Sequence, residues 1–124
     1  MTLILDAGAL IAFERNDRHL VVLLTRAVER GEVIVVPAGV VAQVWRNPSR
    51  QARLARLLNA ADLEVAPLDD QLARAVGQLL GARGVTDVVD ACVAILARQR
   101  TAPVVTSDTK DLKHLDATLR LIEC

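Results

Sequence analysis

Short apolar runs alternate with longer amphipathic stretches along the whole chain. Five runs rich in valine, isoleucine and leucine, without polar alternation, predict β-strands at residues 3–5, 33–36, 63–66, 103–106 and 119–122. Strands of this kind are typical of a sheet that is covered on both faces. Stretches with helical periodicity lie between them, at residues 18–30, 38–45, 49–60, 69–82 and 87–100. Strands separated by helices predict right-handed crossovers and a mostly parallel sheet.

The pattern therefore predicts an α/β fold, a three-layer α/β/α sandwich formed by one domain over residues 1–124. Gly31 follows the first predicted helix, and Ser49 and Thr86 are the expected N-caps of the third and fifth. A short helix is expected before the last strand, and the direction of that strand, parallel or at the edge, stays open.

Composition narrows the possible functions. The chain has 124 residues, 52% of them hydrophobic, which is enough for a substantial core. Its formal net charge is zero, so nucleic-acid binding would depend on a local basic patch rather than on a field of the whole molecule. Cys92 and Cys124 lack metal-ligand spacing, and no signal peptide or membrane span is evident, so we expect a cytoplasmic protein.

Three aspartates lie where an α/β sheet would bring them together. Asp6 directly follows the first strand, Asp108 follows the fourth, and Asp90 lies in the first turn of the last long helix. Sites in open α/β sheets form beyond the carboxyl ends of the strands. We therefore expect these three carboxylates to converge, with Asp87 one turn from Asp90.

Converging carboxylates repel one another, and a hard divalent cation offsets that repulsion. Oxygen ligands favour Mg²⁺ or Mn²⁺, and the lack of a nearby histidine argues against zinc. Such a site is typical of chemistry on phosphate esters. Helix capping is an alternative role for Asp6, Asp87, Asp108 and Asp111, whereas it explains Asp90 poorly.

Four ordered motifs, "LILDAGALIA", "VVPAGVVAQVWR", "DVVDACVA" and "VVTSDTKDL", resemble those of PIN domains. The resemblance is closest to the VapC-type ribonuclease toxins of type II toxin–antitoxin systems. It implies a Mg²⁺- or Mn²⁺-dependent endoribonuclease, a homodimer and a cognate antitoxin. It also implies that Asp6, Asp90 and Asp108 are catalytic residues and metal ligands, with Asp87 a further candidate ligand.

One position departs from the family pattern. The family has a glutamate in the segment "AEVWR", and here Gln43 holds that position. A carboxamide offers a neutral oxygen without the charge of a carboxylate. Either Asp87 or Asp111 compensates, or activity is low, or the chain is a PIN-like module that binds RNA or a partner through an impaired site.

Further candidates surround the aspartates. Thr106 and Ser107 are expected to hydrogen-bond to ligand carboxylates or to the scissile phosphate, although hydroxyls after a strand are also common in turns. Arg46, Arg50 and Arg53 are candidates for binding RNA phosphates. The alternative for these arginines is an ordinary solvated helix surface.

Overall fold

A computed structural model describes residues 1–124. Five strands form one sheet in which every neighbouring pair is parallel, in the order β3-β2-β1-β4-β5. The strands are β1 (Thr2–Leu5), β2 (Val33–Pro37), β3 (Leu63–Ala66), β4 (Val104–Thr106) and β5 (Leu121–Glu123). The predicted α/β/α fold is confirmed, and the last strand is both parallel and at the edge.

Helices flank the sheet between the strands. They are α1 (Ala7–Glu14), α2 (Arg18–Glu29), α3 (Ala38–Val44), α4 (Ala52–Leu58), α5 (Asp70–Arg83), α6 (Val88–Arg100) and α7 (Thr109–Leu115), with a 3₁₀ turn at Pro48–Arg50. None of them is long and apolar enough to cross a membrane.

The core lies between the sheet and the helices on its two faces. It contains 29 buried hydrophobic residues, and the side chains of Ile4 and Leu5 on the central strand are fully buried. Helix α6 contributes Ala91, Val93 and further small residues to this core and contacts β1 and β2. The first turn of α6 is thereby held close to the middle of the sheet.

Two of the predicted helix caps are wrong, and one helix has no predicted bounds. Helix α1 follows Asp6, whose alternative role as a helix cap is confirmed, but its bounds are not predicted because its sequence "AGALIAFE" is apolar all round and has no helical periodicity. Ser49 does not cap a helix: its backbone N–H is bound by the Asn47 carboxamide in the 3₁₀ turn, and α4 starts later, at Ala52. Thr86 does not cap α6 either, because Asp87 holds that position.

The sheet changes winding direction at β1. The chain passes from β1 to β2 on one side, and β4 pairs with β1 on the other. In open α/β sheets such a point leaves a crevice at the carboxyl ends of the two strands. Here that crevice lies beyond Leu5 and Thr106.

Candidate metal centre

Asp6 begins the site at the end of β1. It is 4% exposed and is the N-cap of α1, where its Oδ1 accepts a hydrogen bond from the Ala9 N–H at 3.0 Å. Its Oδ2 accepts a hydrogen bond from the Thr106 hydroxyl. Burial raises the pKa of Asp6, and these two hydrogen bonds oppose that rise by favouring the charged carboxylate.

Thr106 connects Asp6 to Asp108. Its fully buried hydroxyl donates to Asp6 and accepts a hydrogen bond from the Asp108 N–H at 2.8 Å. Asp108 in turn is the N-cap of α7 and accepts a hydrogen bond from the Asp111 N–H at 3.4 Å. The ends of β1 and β4 are therefore joined by side chains as well as by the sheet.

Asp90 faces these groups from the first turn of α6. One carboxylate oxygen from each of Asp90, Asp108 and Asp111 lies within 4.8 Å of the others, and we call these three residues the acidic cluster. Asp6 lies outside this group of three and is connected to it through Thr106. Asp87 caps α6 by accepting the Asp90 N–H at 2.9 Å.

The electrostatics of the acidic cluster are unfavourable without a cation. Burial, followed by repulsion from Asp87 and Asp108, raises the pKa of Asp90 from 3.8 to about 6. Burial also raises the pKa of Asp108. The ion pairs of the protein lie elsewhere, and none involves a member of the cluster. A cation bound at the cluster would offset this repulsion.

The donor set fits a hard divalent cation. The cluster offers only carboxylate oxygens, which are the ligands that Mg²⁺ and Mn²⁺ prefer. The Asp90 side chain makes no hydrogen bond within the protein, so its oxygens are free to bind a cation. The residues present therefore fit a Mg²⁺ or Mn²⁺ ion.

Ser107 and Gln43 are the two remaining polar candidates, and neither forms a hydrogen bond with the aspartates. Ser107 is exposed and lies against the start of α1, where a Cβ on Gly8 would lie 2.0 Å from the Ser107 Oγ. The absence of a side chain at Gly8 thus permits the close approach of α1 to the end of β4. Gln43 is exposed on α3, one turn after Gly39, which packs against Val89 of α6. Its carboxamide makes no hydrogen bond to the aspartates.

The three candidate arginines have different environments. Arg46 donates from one guanidinium nitrogen to the carbonyls of Ala42 and Trp45, at the end of α3. Arg53 donates to the Asn16 carboxamide at 2.9 Å. Arg50, in the 3₁₀ turn, is exposed and its backbone N–H donates to the Asn47 carbonyl, while its guanidinium makes no hydrogen bond and is therefore the most available of the three.

A cleft of about 280 Å³ opens beside the acidic cluster, between α6 and α7. We call it the α6–α7 cleft; its lining residues are Val85, Thr86, Asp87, Asp90, Asp111, His114 and Leu115. No histidine is expected near the aspartates from the sequence, and the position of His114 in this cleft corrects that expectation. Its separation of three residues from Asp111, one turn of a short helix, was the available signal.

Solved structures of similar fold come from toxin–antitoxin assemblies. A chain of VapBC2 from Rickettsia felis, bound to a DNA fragment from their promoter, superposes with a TM-score of 0.77 at 19% identity, covering 100% of this chain and 99% of that one. VapBC-1 from nontypeable Haemophilus influenzae gives 0.70 at 16% identity, with coverages of 99% and 98%. VapBC-5 from Mycobacterium tuberculosis, of the VapBC family of toxin–antitoxin systems, gives 0.56 at 25% identity, with coverages of 98% and 96%.

Sequence comparison assigns the family directly. Among curated proteins none matches this chain significantly. The PIN domain family profile, in contrast, matches residues 3–117, which is nearly the whole chain and includes all the aspartates described above. This chain belongs to the PIN domain family.

Proposed function

We propose that this chain is a Mg²⁺- or Mn²⁺-dependent endoribonuclease and the toxin of a toxin–antitoxin pair. The observation that carries the proposal is the acidic cluster, whose oxygens lie within 4.8 Å of one another beside Asp6 at the ends of two central strands. Such a group of carboxylates without a facing cation is typical of sites for metal-assisted hydrolysis of phosphodiesters.

The residues of the chain have distinct roles in this proposal. Asp90, Asp108 and Asp111 would hold the ion directly, and Asp6 would hold it directly or through water, with Asp87 as a further carboxylate at the rim. A bound Mg²⁺ or Mn²⁺ supplies a nucleophilic water and offsets charge on the phosphate oxygens. Thr106 fixes the Asp6 carboxylate, and the exposed Ser107 hydroxyl would donate to a phosphate oxygen.

RNA binding would use the arginines after α3. Arg50 is free to contact a phosphate, while Arg46 and Arg53 retain donor nitrogens beyond those bound within the protein. Contacts of this kind position the backbone of a nucleic acid without reading its sequence. The overall charge of zero restricts the attraction to this local patch.

The partners would be a cognate antitoxin and a second copy of the chain. Chains of similar fold occur in VapBC assemblies. In this protein α1 is apolar on every side, yet Ile11 is exposed and Phe13 is half-buried. A helix that is hydrophobic all round is normally covered, which supports a protein partner on this surface.

Gln43 favours a second candidate function, a PIN-like module that binds RNA or a partner without cleaving. The exposed carboxamide provides no charge at the position where the family has a glutamate. Asp111 supplies a carboxylate to the acidic cluster, and this favours the nuclease. The two candidates differ in whether Gln43→Glu is needed for cleavage.

RNA cleavage distinguishes them. We would incubate antitoxin-free protein with total RNA and with structured RNAs in Mg²⁺, in Mn²⁺ and in EDTA. The nuclease proposal expects cleavage by the wild type with metal only, loss of cleavage in Asp90→Asn, and retention in the control Asp62→Asn, which removes an exposed carboxylate far from the cluster. If Gln43→Glu cleaves RNA and the wild type does not, the binding module is favoured. Cleavage that does not need metal would contradict the proposed site.

A further inference from the structure

We propose that the α6–α7 cleft is the subsite for one nucleotide flanking the scissile phosphate, and that His114 contacts this nucleotide. The inference rests on the proposed nuclease function and adds a specificity-determining residue to it. One wall of the cleft, formed by Asp90 and Asp111, is part of the acidic cluster itself. A nucleotide in the cleft would therefore be adjacent to the phosphate held at the cluster.

The shape and chemistry of the cleft suit an unpaired nucleotide. Val85 and Leu115 provide apolar surface, and the Thr86 hydroxyl provides a donor and an acceptor. Sites for small ligands combine apolar walls with a few polar groups that fix orientation. A splayed-out base has an apolar face and a hydrogen-bonding edge, so it matches such walls.

His114 is the polar group best placed to contact the nucleotide. It is the only side chain lining the cleft that carries nitrogen, it is exposed, and it makes no hydrogen bond within the protein. A neutral imidazole has both a donor and an acceptor, so it can bind a base edge or a ribose hydroxyl. Three residues separate it from Asp111, which places both on one side of α7.

No other group in the chain replaces His114 in this role. None of the arginines lines the cleft, and the carboxylates that do line it would repel the phosphates of RNA. The single tryptophan and the single phenylalanine are half-buried elsewhere, so stacking on an aromatic ring is not available in the cleft. Recognition of the nucleotide would thus depend on His114, with Thr86 beside it.

The chain provides its own control, because His19, exposed on α2, is the only other histidine. We would record the two imidazole signals by NMR while titrating the wild-type protein, in Mg²⁺, with each of the four nucleoside 5′-monophosphates and with inorganic phosphate. We expect at least one nucleotide to shift His114 and not His19, by more than phosphate does. Absence of a His114 shift, or an equal shift with phosphate alone, would overturn the inference.

Kinetics separate this inference from the nuclease proposal. On an RNA that the wild type cleaves, His114→Ala is expected to raise KM about tenfold with kcat changed less than about threefold. His114→Gln, which keeps an N–H donor, is expected to recover most of the affinity, and His19→Ala to behave as the wild type. Wild-type kinetics in His114→Ala would overturn the subsite and leave the nuclease intact. If the wild type cleaves no RNA, the nuclease proposal fails and the subsite, which rests on it, fails with it.

Discussion

Replacing Asp90 by asparagine is expected to stabilise the metal-free protein. The substitution keeps the size of the side chain and removes a charge that burial and neighbouring carboxylates disfavour. It breaks no hydrogen bond, because the bond at this residue uses the backbone N–H. The folded protein without metal should therefore gain free energy of unfolding at neutral pH.

The magnitude follows from the pKa of Asp90, which rises from 3.8 to about 6. One pKa unit corresponds to about 1.36 kcal/mol, so a fully buried group would contribute up to about 3 kcal/mol. Asp90 is partly exposed, and solvent screening reduces this to about 1–2 kcal/mol. The lost attraction of a carboxylate to the α6 N-terminus subtracts about 0.3–1 kcal/mol. The net gain is about 1 kcal/mol, or about 3–5 °C in Tm for a chain of this size.

The stability difference between Asp90→Asn and the wild type depends on pH. Because the pKa of Asp90 is higher in the folded state, the folded protein binds more protons, and the wild type loses stability as the pH rises from about 4 to above 6. The advantage of Asp90→Asn should be full at pH 7.5 and absent near pH 4.

Thermal unfolding in EDTA measures this difference, with Asp62→Asn as a control for the loss of one exposed carboxylate. Adding Mg²⁺ should stabilise the wild type and leave Asp90→Asn unchanged, since only a protein that binds the ion gains stability from it. If Asp90→Asn at pH 7.5 in EDTA unfolds at or below the wild-type Tm, the repulsion described for the acidic cluster is refuted.

Three further substitutions and conditions test the site from other directions. Thr106→Val should cost about 1–3 kcal/mol of unfolding free energy because it leaves the buried Asp6 carboxylate without its hydroxyl donor, whereas Thr106→Ser should cost less; urea titration distinguishes the two. Gly8→Ala should destabilise the fold by about 1–2 kcal/mol because its Cβ would meet the Ser107 Oγ at 2.0 Å. Adding Ser107→Ala should restore part of this loss, and equal Tm values for the single and the double variant would contradict the contact. Mn²⁺ affinity should fall as the pH drops through about 6, where Asp90 gains a proton. Calorimetric titration with Mn²⁺ at pH 5.0 and 7.5 measures the ratio of the two affinities, and equal affinities would exclude Asp90 as a ligand.

Much of the fold could be predicted from hydrophobic patterning. The five strands were found within two residues of their ends, because fully buried parallel strands read as unbroken apolar runs. The bounds of helix α1 could not be predicted for the same physical reason: it is apolar on every side, so its sequence carries neither a 3.6-residue period nor a polar face. Its only signal was Asp6, which both caps the helix and faces the site.

The site was predictable where it depends on strand ends and less so where it depends on helix packing. The positions of Asp6 and Asp108 follow from topology alone, since parallel strands end at one edge of the sheet. The approach of Asp111 to Asp90 depends on how α7 packs against α6, and the sequence favours a capping role for Asp111. The spacing of His114 from Asp111 indicates one side of a helix but not a site, because the cleft that His114 lines exists only between two packed helices.

Mn²⁺ binding measured by electron paramagnetic resonance tests the acidic cluster most directly. The wild type and Asp62→Asn should bind Mn²⁺ saturably at pH 7.5, and Asp90→Asn and Asp108→Asn should bind it at least about tenfold more weakly, since each removes one carboxylate of the donor set. Equal Mn²⁺ affinity in all four proteins would contradict a metal centre formed by Asp90, Asp108 and Asp111.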